Sequence, residues 1–193
     1  SLAAVLKTTN GGTNWIVQTI LIDTYLHSVY FTDANTGWAA GASGFGGNGK
    51  ILKTADGGLN WVIQKDESNY IFNSVYFTDS NNGWVVGQDV NAFAGLIFKT
   101  TNGGTNWTSQ TTNLTTFLQA VYFVGSNTGF AVGMDFSASG GSILRTTDGG
   151  LNWTPQAGPN SYILNSVFFI DQNTGWAVGG NIILKTTNNG LSW

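Results

Sequence analysis

The stretches KTTNGGTNW (7–15), KTADGGLNW (53–61), KTTNGGTNW (99–107), RTTDGGLNW (145–153) and KTTNNGLSW (185–193) are one phrase written five times. Trp15, Trp61, Trp107 and Trp153 follow one another at intervals of 46 residues, and Trp193 comes 40 after Trp153. A fixed period of roughly 20 to 50 residues means stacked units, because one such unit is too small to bury its own apolar face. A second phrase interleaves with the first: HSVYFTDANTGWAAG (27–41), NSVYFTDSNNGWVVG (73–87), QAVYFVGSNTGFAVG (119–133) and NSVFFIDQNTGWAVG (165–179). From Gly41, Gly87 and Gly133 to the next Lys53, Lys99 or Arg145 is 12 residues, whereas Gly179 to Lys185 is 6. The shortening therefore lies in one connection, as a surface loop on a constant scaffold allows.

Within each unit, short β-branched and aromatic clusters are bounded by Asn, Asp and Gly, and no helical period is found. The pattern predicts four strands: A (SVYFTD-like), B (GWAVG-like), C (ILKT-like) and D, starting at the Trp. Asp33, Asp79 and Asp171, with Gly37, Gly83 and Gly175, are expected to make the A-to-B turn through their tolerance of positive φ. Four antiparallel strands per repeat of this length make a β-propeller blade. The expected fold is all-β, with blades at 26–71, 72–117 and 118–163, a partial blade at 1–25 and another at 164–193. The uneven partial blades suggest a segment of a propeller of seven or eight blades, and a closed five-bladed ring is the alternative.

The C-to-D turn carries a family resemblance. Thr8, Asn10, Gly12 and Trp15 resemble the Asp-box, Ser/Thr-x-Asp-x-Gly-x-x-Trp, of sialidases, sortilin, xyloglucanases and the photosystem II assembly factor family. The later copies are Thr54, Asp56, Gly58 and Trp61; Thr100, Asn102, Gly104 and Trp107; Thr146, Asp148, Gly150 and Trp153; and Thr186, Asn188, Gly190 and Trp193. Physically, the Asx accepts backbone N–H bonds, the Gly turns left-handed and the Trp is expected to anchor the seam between blades. The full unit is similar to the BNR-like repeat of the photosystem II assembly and stability factors, which also fills secreted bacterial proteins with type IX sorting. That resemblance implies a propeller that binds or supports a partner.

Composition narrows the partners. Charged residues are 9% of the chain, the formal net charge is -3 and the pI is about 4.7, so no basic stripe exists to neutralise phosphates. No apolar run approaches the roughly 18 to 20 residues that cross a bilayer. The absence of cysteine removes thiolate nucleophiles and Cys-ligated zinc. A polar complement of Asn, Thr, Ser and Gly in place of Lys and Glu suits an exported protein, at the cell surface or outside the cell, with periplasm or thylakoid lumen as further options.

The candidate chemistry is sparse. Gly44-Phe45-Gly46-Gly47-Asn48-Gly49-Lys50 matches two phosphate-loop spacings, but Ile51 and a strand follow where a helix is required. A sialidase needs several arginines, and Arg145 is the only one. Asp89 and Asp135, in equivalent B-to-C loops, are the best pair for a glycosidase, which needs two carboxyl groups at a set separation. His27 stands where the other units have Asn73, Gln119 and Asn165, a hydrogen-bonding position. No cofactor or metal site is expected. The partner is expected to be a protein or a glycan, read by the B-to-C loops (42–50, 88–95, 134–142) and the D-to-A connections (19–26, 65–72, 111–118, 157–164), where Tyr25, Tyr70, Phe117 and Tyr162 recur. Nucleic acid and membrane insertion are not expected. The leading expectation is a non-catalytic binding propeller within a larger chain or assembly. The alternatives are a purely structural extracellular module, a glycoside hydrolase-like propeller and a photosystem II assembly factor-like chaperone.

Overall fold

The computed structural model describes residues 3–20, 23–44, 47–110, 115–137, 140–158 and 162–193. These residues contain seventeen strands in five antiparallel sheets, and no helix. The first sheet pairs β1 (Ala3–Lys7) with β2 (Ile16–Ile20). Three four-stranded sheets follow in simple meander order. They are β3 (Tyr25–Phe31), β4 (Gly37–Ala42), β5 (Gly49–Thr54) and β6 (Val62–Glu67); β7 (Tyr70–Phe77), β8 (Gly83–Asp89), β9 (Ala94–Thr100) and β10 (Thr108–Gln110); and β11 (Thr116–Val124), β12 (Thr128–Asp135), β13 (Gly140–Thr146) and β14 (Thr154–Gln156). The last sheet is β15 (Ser166–Phe169), β16 (Gly175–Gly179) and β17 (Ile182–Thr186). The first strands of successive sheets, β3, β7, β11 and β15, pack on one another in series. The sheets are the blades of a β-propeller, with strand A innermost.

The core lies in the seams between blades. One cluster joins Trp38, Ala40 and Ile51 of one blade to Phe72, Val75 and Phe77 of the next, and equivalent clusters fill the following two seams. Strand B is buried on both faces, which is why its segments read as unbroken apolar runs. Trp38, Trp84 and Phe130 of strand B cross each seam to stack on Phe77, Phe123 and Phe169 of the next strand A. The Trp residues of the C-to-D turns do less than the spacing suggested. Trp107, Trp153 and Trp193 are half-buried and stand edge-on against the Phe of their own blade, and Trp15 is 57% exposed. The seam plug is the strand-B ring, because that strand is central in its sheet and has neighbours on both sides.

The strands also run further than their apolar letters. Residues 65–67 and 70–72 are paired strand, so the second D-to-A connection shrinks to a tight turn at 68–69. Strand D starts one residue after each Trp, at Ile16, Val62, Thr108 and Thr154. Backbone pairing tolerates the polar side chains of an outer edge, which an apolar pattern cannot register. In strand A a β-bulge leaves residues 27, 73 and 119 without a partner in the ladder. The extra residue turns its side chain to the next blade: His27 Nδ1 lies 3.1 Å from the Phe72 carbonyl and Asn73 donates to the Leu118 carbonyl at 2.8 Å.

Candidate functional site

Because every strand reverses at every connection, the A-to-B and C-to-D turns share one face and the B-to-C and D-to-A connections share the other. The turn face is occupied by its own structure. In each C-to-D turn the Thr hydroxyl donates to the Asx side chain and accepts from the glycine N–H: Thr54 Oγ1 to Asp56 Oδ1 at 2.9 Å, and Gly58 N to Thr54 Oγ1 at 2.9 Å. The Asx oxygen then accepts the N–H four residues on, as Asp56 does from Asn60 at 2.9 Å. Thr8 and Asn10, Thr100 and Asn102, Thr146 and Asp148, and Thr186 and Asn188 repeat the geometry at 2.8 to 3.0 Å. Gly12, Gly58, Gly104, Gly150 and Gly190 take φ between 74° and 90° there. These bonds hold the charged copies down: the backbone N–H and side chain of Asn60, with the Thr54 hydroxyl, lower Asp56 to about 2, and Asn152 does the same for Asp148. Asp33 and Asp171 are also lowered, by the N–H groups of Asn35 and Thr36 and of Asn173 and Thr174.

The turn face also balances its side-chain charge. Lys7, Lys53, Lys99, Arg145 and Lys185 end strand C, against Asp33, Asp56, Asp79, Asp148 and Asp171 in the turns. Two of the lysines reach across seams: Lys53 Nζ donates to the Gly103 carbonyl of the next blade at 2.9 Å while lying 5.2 Å over the Trp38 ring. Lys7 donates likewise to Gly57. In the third seam three positions change together, with Phe130 in place of the Trp, Arg145 in place of the Lys and Asn189 in place of the turn Gly. With the Asn189 amide oriented to satisfy both its atoms, its oxygen accepts from Arg145 Nη2 at 3.2 Å. The guanidinium thus takes over the cross-seam bond that Trp38 Nε1 makes to Gly103.

The loop face differs. It carries Asp23, Asp66, Glu67, Asp89 and Asp135 against Lys50 and Lys65, so the whole net charge of -3 is gathered there. Both lysines are paired, Lys50 with Asp66 and Lys65 with Glu67. Burial and the nearby charges of Asp89 and Glu67 raise the Tyr70 phenol. A groove of about 720 Å³ opens on this face, lined by Tyr25, Leu26, His27, Ala42, Gly44, Ile71 and Gln88. Further along the same face, Phe93 of one blade stacks at 6.5 Å on Phe117 of the next, and Phe136 meets Phe117 at 4.3 Å. Phe93 is 66% exposed and sits at φ +50°, a strained backbone for a residue with a Cβ. Phe93 and Phe136 are site features that the repeat alignment hid, since their loops differ between units; the aromatic in each B-to-C loop was the available signal.

Asp89 and Asp135 end strand B in adjacent blades and each caps its own loop. Asp89 Oδ1 accepts from the N–H groups of Asn91 and Ala92, both at 2.9 Å. Asp135 Oδ1 accepts from Ser137 N at 2.8 Å, Ser137 Oγ at 2.7 Å and Thr115 Oγ1 at 3.2 Å. Both carboxylates are thus engaged in closing the turns of their own loops. Gly49 and Lys50 of the glycine-rich stretch are strand, while Phe45 and Gly46 lie outside the described residues. Among the described residues no group of His, Asp and Glu side chains could hold a metal.

Blades, seams and turns of this kind define a propeller of BNR-like repeats. Residues 7–116 match the family model described as photosynthesis system II assembly factor YCF48, and the chain belongs to that family. Among solved structures it is similar to YCF48 bound to a D1 peptide, at 17% identity and TM-score 0.57, over 100% of this chain and 83% of that one. YCF48 from Cyanidioschyzon merolae aligns at 23% identity and TM-score 0.60, over 86% of this chain and 54% of that one. The GH74 xyloglucanase from Xanthomonas campestris aligns at 13% identity and TM-score 0.73, over 100% of this chain and 35% of that one. The chain thus spans about half of the second structure's length and about a third of the third's. No curated protein sequence matches it.

Proposed function

We propose that this chain is a non-catalytic, protein-binding propeller whose partner is held by the loop face. The observation that carries this is the division of labour between the two faces. The polar side chains of the turn face are spent on hydrogen bonds within and between blades, whereas the loop face presents the aromatic side chains of Tyr25, Phe93, Phe136 and Tyr162 at the surface on the side that carries the excess of acidic residues. Exposed aromatic side chains on loops held by a rigid scaffold are the usual equipment of a recognition surface. The similarity to YCF48 bound to a D1 peptide supports a protein or peptide partner over a glycan. We place the protein outside the cytoplasm, at the cell surface or in an exported compartment such as the thylakoid lumen or periplasm, as part of a larger chain or assembly. A type IX secretion route suits its Asn-rich repeats.

A glycoside hydrolase is the second reading, favoured by the TM-score of 0.73 to a xyloglucanase. The turn-capping bonds of Asp89 and Asp135 weigh against it. The test is to probe the immobilised intact chain with peptide and glycan arrays and to assay it on xyloglucan. Peptide binding that is lost on Phe93→Ala supports the proposal. Hydrolysis abolished by Asp89→Asn or Asp135→Asn overturns it.

A further inference from the structure

Phe93, Phe117 and Phe136 make a continuous aromatic edge across the boundary between two blades, and the carboxylates of Asp89 and Asp135 begin the loops that carry its two exposed rings. Asp89, through its bonds to Asn91 and Ala92, shapes the turn that brings Phe93 to φ +50° and into solvent. An apolar side chain held at a conformational cost in water has no folding role to account for it. Asp89 and Asp135 bring two carboxylates to this edge, and the loop face as a whole carries five acidic side chains against the two lysines Lys50 and Lys65. Aromatic faces next to negative charge attract cations by two additive routes, the ring quadrupole and Coulomb attraction, and neither route favours an acidic or purely apolar guest.

We propose that these five residues form a subsite for an arginine side chain of a basic, extended peptide segment. Arginine fits better than lysine because the planar guanidinium stacks on a ring and still offers N–H donors to a carboxylate. The inference rests on the protein-binding reading above and adds the chemistry of the partner.

The test is fluorescence anisotropy of a labelled peptide alternating arginine and glycine, titrated with the intact chain at low and at physiological ionic strength. Saturable binding that weakens with salt is expected, and binding weakens by roughly two- to fivefold in Phe93→Ala and in Phe136→Ala. Asp89→Asn with Asp135→Asn, which keeps the turn-capping oxygens, lowers affinity and flattens the salt dependence. Leu151→Ala, at an exposed position on the turn face, leaves binding unchanged. Thermal melts matching the parent chain establish that the loop variants fold. Equal binding of a glutamate-glycine peptide, or no loss in the phenylalanine variants, overturns the inference. If an uncharged peptide binds instead and is lost in Phe93→Ala, the cationic guest is wrong while the protein-binding reading stands.

Discussion

The indole of Trp38 lies flat on the ring of Phe77, 3.6 Å between centroids and 14° from parallel, although the two belong to different blades. Trp84 meets Phe123 the same way at 3.6 Å, and Phe130 meets Phe169 at 4.2 Å. Trp38 is completely buried, and its Nε1 donates to the Gly103 carbonyl at 3.1 Å, so one side chain supplies both packing and a polar bond across the seam. Trp38→Ala is expected to cost about 3 to 5 kcal/mol, as for other core aromatics. Trp38→Phe should cost less than about 2 kcal/mol, because Phe130 fills the equivalent place. Denaturant midpoints of the two variants check both figures.

The Trp residues of the C-to-D turns should not be equivalent. Trp107 is half-buried against Phe77, and its replacement by Ala is expected to cost about 3 kcal/mol. Trp15 stands 57% in solvent, and Trp15→Ala should cost under about 1 kcal/mol. Equal losses in a thermal melt would refute the assignment of the seam to strand B.

Glycine at Gly83 answers to packing and not to dihedral angle. Its φ is not positive, and an added Cβ would lie 2.4 Å from the Phe77 ring. Gly37 faces Phe31 in the same way at 2.6 Å, which corrects the expectation that these glycines serve the turn by positive φ. Gly83→Ala should therefore destabilise by about 1 to 3 kcal/mol, the cost of overpacking. Gly11→Asn should cost under about 1 kcal/mol although its φ is +66°, because nothing lies near its Cβ site and Asn189 adopts φ +59° at the matching position. Chemical denaturation of the two variants tests the contrast.

Acid should loosen the turns in a defined window. The folded-state carboxyls of Asp56 and Asp148 lie at about 2 against an ordinary 3.8, so their ionised forms are favoured by folding. That contribution is fully present above the ordinary value and is lost as pH falls through the folded one. The melting temperature is expected to drop between pH about 4 and about 2. Asp56→Asn with Asp148→Asn should reduce the drop, since Asn10, Asn102 and Asn188 make the same bond to the N–H four residues on without a charge. Melts recorded across that pH range decide it.

The sequence alone determined the unit, its four strands and the chemistry of its turns. Period, Asx and Gly are local properties: the Thr54, Asp56 and Gly58 bonds close within a few residues, so their letters sit side by side in the chain. The cross-seam partners were out of reach because stacking joins residues such as Trp38 and Phe77 that lie in different repeats, and both strand-B and turn tryptophans recur with nearly the same spacing. Only packing shows that strand B, central in its sheet, has neighbours on both faces while the turn Trp sits at a margin. The loop face was legible as a set of variable segments, yet its content was not. Phe93, Phe117 and Phe136 come from three segments, and the gathering of all net charge on one face follows from the reversal of chain direction at every strand, which tertiary structure alone turns into proximity.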